Sequence, residues 1–114
     1  MKNTVHLIGR LGKDATSHEW RGKQVSNFMV ATTSTYRDKL TGEKKEDVQW
    51  HKCVLWQHEN LYPFLKAGTV ISVQGSIRYD FYEKEVQGEK LNMLTTEILV
   101  DEVVLLPSPK KEAQ

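Results

Sequence analysis

Residues Val48–Gly68 read VQWHKCVLWQHENLYPFLKAG. The stretch falls into two parts. Val48–Trp56 alternates with period two, the mark of a half-buried strand, because successive side chains on a strand point to opposite faces. One face carries Val48, Trp50, Lys52, Val54 and Trp56; the other carries Gln49, His51, Cys53 and Leu55. The alternation then stops. In the segment from Asn60 to Gly68, Asn60 suits a helix N-cap, Gly68 suits a helix end, and Pro63 is tolerated only in a first turn. One or two helical turns are expected directly after this strand.

Working outward, four more runs carry strand character: Thr4–Leu11, Lys23–Thr35, Thr69–Glu83 and Leu91–Leu106, the last broken near Asp101–Glu102. Polar or glycine-containing segments separate them. Gly12–Gly22 reads as a turn, the charged stretch Arg37–Asp47 as a long exposed hairpin loop, and Glu83–Lys90 as another. Gly75, in the middle of a run, suggests a bulge or a barrel corner. Five strands with one short helix between the third and fourth is the layout of an all-β OB-fold, a five-stranded Greek-key barrel. A small sandwich is the competing arrangement. The domain is expected to span 1–106, followed by a polar, proline-containing, frayed tail over 107–114. No internal repeat is present.

Composition narrows the function classes. The 114 residues fit one domain with a modest core. Sixteen basic residues nearly balance fifteen acidic ones, which speaks against binding of nucleic acid by bulk charge alone. The charge is polarised, however: residues 1–45 carry +5 and residues 46–114 carry −4. A single cysteine, Cys53, permits no internal disulfide and implies a reducing, cytoplasmic setting. The start has no signal-like apolar run, and no stretch approaches the roughly 18 apolar residues of a membrane span. No membrane partner is expected.

The face holding both tryptophans is the informative one. Trp50 and Trp56 are six residues apart, about 20 Å on a strand. Tryptophan is commonly buried, and a core role is the plain alternative. Lys52 between them argues against it, because a buried unpaired ammonium is costly. Cys53 and Leu55 are available for the interior instead. Aromatic and basic groups on one face form a stacking platform with a phosphate partner, which suits single-stranded nucleic acid. The fourth run repeats the theme: Arg78 and Tyr82 share a polar parity opposite Ile71, Val73, Ile77, Tyr79 and Phe81. Tyr36 stands at the base of the charged hairpin, where Arg37, Lys39, Lys44 and Lys45 alternate with four acids. Catalytic and metal chemistry find little support. His51, Cys53 and His58 lack a zinc spacing, and Asp14, His18 and Glu19 suit a polar turn better than an acid/base cluster. No nucleophile motif or phosphate loop is present. Neither enzymatic activity nor a cofactor or metal is expected.

Several stretches together resemble a known family. Val5–Asp14, Val25–Thr32, Trp50–Leu55, Lys66–Gly68 followed by Val73–Gly75, and Thr95–Ile98 occur in the order and spacing of bacterial single-stranded DNA-binding proteins. The resemblance covers residues 3 to 106. It implies an OB-fold that wraps single-stranded DNA without strong sequence preference in replication, recombination and repair, usually as a homotetramer. It places stacking aromatics at Tyr36, Trp50, Trp56 and Tyr82, where many members have tryptophan at the first and last positions and phenylalanine at the third. Lys52, Arg78, Arg37 and Lys39 are the accompanying basic candidates for the DNA contact. It places a subunit interface at His51, which parity already sets opposite the tryptophans, and along Thr4–Ile8 of the first strand, including Thr4 and His6. Three departures stand out: a shortened turn after Asp14 that aligns Trp20 with the family's aromatic there, Pro63 in the helix, and an ending at Lys110-Lys111-Glu112-Ala113-Gln114. The family's acidic, phenylalanine-terminated tip is missing, so recruitment of replication proteins through such a tail is not expected. The alternatives are a dimeric primosomal accessory OB protein and an OB module that binds only protein.

Overall fold

A computed structural model of the chain describes residues 1–107. The order is β1 (Val5–Leu11), β2 (Thr16–Trp20), β3 (Lys23–Arg37), β4 (Lys44–Trp56), a single 3₁₀ turn (Tyr62–Phe64), β5 (Val70–Val86) and β6 (Glu89–Leu105). Five of the strands close into a barrel, the OB-fold arrangement. Antiparallel neighbours are β1–β5, β5–β6 and β3–β4. Two short seams complete the ring: antiparallel Arg10↔Ala31 and Leu11↔Val30 between β1 and β3, and parallel Cys53↔Ile98 and Val54↔Leu99 between β4 and β6.

The sixth strand departs from the sequence reading. Thr16–Trp20 pairs with Lys23–Asn27 through the two-residue turn Arg21–Gly22, rather than forming part of one long polar turn. Hairpin lengths differ too. β3 and β4 pair all the way from Val25↔Trp56 to Arg37↔Lys44, and β5 and β6 out to Val86↔Glu89. Their charged outer halves form ladders although neither face is buried, because backbone pairing alone holds them. The expected helix is reduced to one 3₁₀ turn. Pro63 supplies no backbone donor, Leu65 leaves helical geometry at ψ 72°, and Asn60 makes no cap. The tail expected over 107–114 lies outside the described residues apart from Pro107.

The core is the alternating set from the barrel strands. Leu11, Phe28, Val30, Cys53, Leu55, Ile71, Val73, Ile98 and Val100 are buried together. Leu65, just after the 3₁₀ turn, joins the same core. The β1–β2 connection is latched to this segment: Ala15 N donates to Leu65 O at 2.8 Å, and Ala67 N donates to Asp14 Oδ1 at 2.8 Å.

The irregularity expected at Gly75 and the break expected near Asp101 are one feature. The β5–β6 register passes from Gln74↔Glu102 to Gly75↔Val100, which leaves Asp101 as the extra residue of a bulge on β6. A Cβ on Gly75 would collide with the Leu99 carbonyl oxygen, so the close approach requires glycine. Because the extra residue belongs to β6, the parity of β5 runs through Gly75 unchanged.

β1 has one edge on β5 along Val5–Arg10, while β3 covers its other edge only at Arg10 and Leu11. The edge of Val5–Gly9 is therefore open among the described residues.

Candidate nucleic-acid interface

Register decides which side chains share the outer face. Alternation on β4 puts Trp50, Lys52, Val54 and Trp56 outward, while Cys53 and Leu55 are fully buried behind them. The Val25↔Trp56 and Ala31↔Trp50 pairs carry this face onto β3, where Asn27 and Met29 join it. His18↔Val25 and Trp20↔Lys23 carry it onto β2. On the other side, the parallel Val54↔Leu99 pair brings in Glu97 and Leu99, and Arg78↔Glu97 and Tyr82↔Met93 bring in Arg78 and Tyr82. Trp20, Trp50, Trp56, Lys52, Arg78 and Tyr82 thus stand on one continuous face, contributed by β2, β4 and β5 and bridged by β3 and β6.

The sequence-derived residues divide accordingly. Trp50 is 54 % exposed and Tyr82 50 % exposed, as a stacking role requires, and Trp56 is half-buried. Tyr36 is also exposed, but its parity is that of Phe28 and Val30. It lies on the opposite side of the β3–β4 ribbon from Trp50, out on the arm beside Arg37 and Lys44. Arg37 braces the hairpin loop, its Nη1 donating to Gly42 O at 2.6 Å. Lys39 is exposed at the tip. His51 is half-buried on the inward parity, its Nε2 hydrogen-bonded to Thr32 Oγ1 at 2.8 Å. His6 Nε2 is hydrogen-bonded to Ser72 Oγ at 2.8 Å on the outside of β1–β5, and Thr4 is exposed just before β1. The two histidines bond different strands and do not meet.

Electrostatics on the face are mixed. Lys52 Nζ lies 3.1 Å from Glu97 Oε2. Glu97 also stands directly opposite Arg78, so one carboxylate sits between two cations. Half-exposed pairs of this kind are worth only about 0–1 kcal/mol. A phosphate can therefore displace Glu97 from Lys52 at little cost. Three further cations, Lys13, Arg21 and Lys23, border the aromatic groups.

Sequence reasoning missed several members of this face. Gly12, Lys13 and Met29 line an apolar cavity of about 320 Å³ over Trp50. The Trp50 ring covers Gly12 so closely that a Cβ there would strike it. Trp20 meets Trp56 edge to face, with centroids 5.9 Å apart and an interplanar angle of 70°. The early signals for Trp20 were the Arg21–Gly22 turn and its alignment with the family's aromatic; its contact with Trp56 was not legible. Flat indole faces beside cations accept planar rings and phosphates. Among the described residues no group of three His, Cys, Asp or Glu could hold a metal ion, and no helix is long and apolar enough to cross a membrane.

Comparison with known proteins identifies the lineage. Residues 2–106 match the single-strand binding protein family. The chain belongs to that family. Among solved structures, a Plasmodium falciparum SSB in complex with ssDNA superposes with a TM-score of 0.80 at 27% identity, covering 94% of this chain and 97% of that one. A deletion mutant of the single-stranded DNA binding protein from Thermus aquaticus superposes with a TM-score of 0.77 at 22% identity, covering 95% of this chain and 52% of that one. The second likeness supports the fold of this family member; the chain spans about half of that protein's length.

Proposed function

We propose that this chain binds single-stranded DNA without strong sequence preference and protects it during replication, recombination and repair. The observation that carries the reading is the shared face of Trp50, Trp56 and Tyr82 with Lys52 and Arg78. Membership of the single-strand binding protein family supports it, as does the likeness to an SSB in complex with ssDNA. Bases stack on the exposed rings and phosphates meet the cations. The β3–β4 arm, with Tyr36, Arg37 and Lys39, embraces the strand further out. The protein acts as a binder rather than an enzyme, in the cytoplasm on the nucleoid, as a homo-oligomer of four chains. Thr4, His6 and His51 contribute to its subunit contacts, supported by the open edge of β1, which is a ready template for pairing.

A tryptophan-fluorescence titration with poly-dT tests the reading. Emission falls on binding, and affinity weakens as salt rises because phosphate contacts release counterions. Trp50→Ala and Trp56→Ala each weaken binding by about 1–3 kcal/mol. Unchanged emission, or affinity indifferent to both substitutions, would leave only a protein-binding OB module.

A further inference from the structure

The β2–β3 hairpin tip offers a second aromatic corner beside the platform. Arg21 and Gly22 both have positive φ, 50° and 76°, the pattern of a two-residue turn whose twist matches its strands. A non-glycine residue takes this conformation only where the surroundings hold it there. Here the turn folds Arg21 back over Trp20, with its guanidinium carbon 4.5 Å from the ring centroid.

Trp20 remains 51 % exposed despite this cover. Its edge-to-face contact with Trp56 makes a re-entrant corner rather than a flat surface. The cavity at this corner measures about 430 Å³ and is lined by Trp20, Arg21, Lys23, Trp56, Arg78 and Leu99. That volume lies within the roughly 300–1,000 Å³ of small-molecule sites. Its walls are two indoles and a leucine, its rim three cations, and none of its lining residues is acidic. Glu97, opposite Arg78, lies just outside it, in the adjoining cavity on the other side of Trp20 and Trp56.

We infer that the Trp20–Arg21 hairpin tip is a further single-nucleotide subsite, which takes a base in the Trp20–Trp56 corner and the attached phosphate on Arg21, Lys23 and Arg78. The inference rests on the single-stranded DNA reading and lengthens its path beyond Trp56 onto β2. A purely structural role, with Trp20 propping Trp56, would need neither the cationic rim nor a ring left half in solvent.

Anisotropy of a fluorescein-labelled dT oligomer, titrated at several salt concentrations, separates the possibilities. Trp20→Ala weakens binding on the order of tenfold and Trp20→Phe restores most of it. Arg21→Ala, at an exposed turn that leaves the core untouched, weakens binding and reduces the magnitude of the slope of log affinity against log salt by about 0.7, the loss of one phosphate contact. Thermal melts establish that each variant is folded; if Trp20→Ala is not, the Arg21→Ala slope decides alone. Wild-type binding with unchanged affinity and slope in Arg21→Ala would overturn the subsite and leave the platform standing. Absence of wild-type binding would overturn both.

Discussion

The Trp50 ring lies against the Gly12 backbone, so the indole is positioned from beneath. Gly12→Ala forces the ring away, and the expected result is weaker oligo-dT binding, by up to the roughly 1–3 kcal/mol of one stack, with an unchanged melting temperature. Equal affinity in a folded Gly12→Ala protein would show that the ring has other acceptable positions. Glu97 makes the opposite case. It holds Lys52 at 3.1 Å and faces Arg78, so Glu97→Gln releases Lys52 and removes a negative charge opposite Arg78. Binding should tighten, up to about fivefold given the small worth of an exposed pair, with a steeper salt dependence. Unchanged or weaker binding would contradict this. The pair Trp50 and Trp56 was legible because parity on a single strand decides it and Cys53 and Leu55 supply an apolar back. Gly12, Met29 and Glu97 were not. They reach the face through the registers of β3 and β6 and the turn after β1, and local sequence does not set those.

The β3–β4 hairpin shows what a charged element can do without a core. Asp38 Oδ1 accepts from Leu40 N at 2.8 Å and Thr41 N at 3.3 Å, and Asp38 Oδ2 lies 3.1 Å from Lys45 Nζ. The Leu40 amide foremost, then Lys45 and Thr41, hold its carboxyl below the ordinary value of 3.8. A depressed carboxylate contributes order that is present above the ordinary value and lost as pH falls through the lowered one. Protection of the Leu40 and Thr41 amides, taken against the exchange of an unstructured peptide at the same pH, should hold from neutral pH down to about 4 and fall only below that. Loss of protection near pH 6 would point to another group. In the sequence, Arg37–Asp47 reads as a long exposed hairpin loop, and the strand pairing that reaches into it was not legible. Alternation of apolar residues marks strands by burial, and these strand ends have none. The same blindness hid Thr16–Trp20, whose side chains are mostly exposed, although the Arg21–Gly22 turn was a usable sign. The reduction of the helix to one turn was half-legible, since Pro63 was visible and the pull of Leu65 into the barrel was not.

At the scale of the whole molecule, the uncovered edge of Val5–Gly9 is a template on which a second copy could pair. The four-chain assembly proposed above predicts a mass near four chains at micromolar concentration, against two for an accessory dimer. His51→Lys replaces a half-buried imidazole bonded to Thr32 with a longer cation, and should lower that mass on dilution more than it lowers the melting temperature. A mass unaffected by dilution would sink the assignment of His51 to the interface. The barrel also contains its own clock. Its parallel seam has two pairs, Cys53↔Ile98 and Val54↔Leu99, and Cys53, the chain's one thiol, is fully buried, with burial pushing its pKa up to about 12. A thiol reagent can therefore reach it only in moments when the strands part, and the labelling rate counts those openings. DNA bound across β4 and β6, as proposed above, would staple the seam shut. Saturating oligo-dT should then slow Cys53 labelling, making a residue with no part in binding a recorder of how often the barrel breathes.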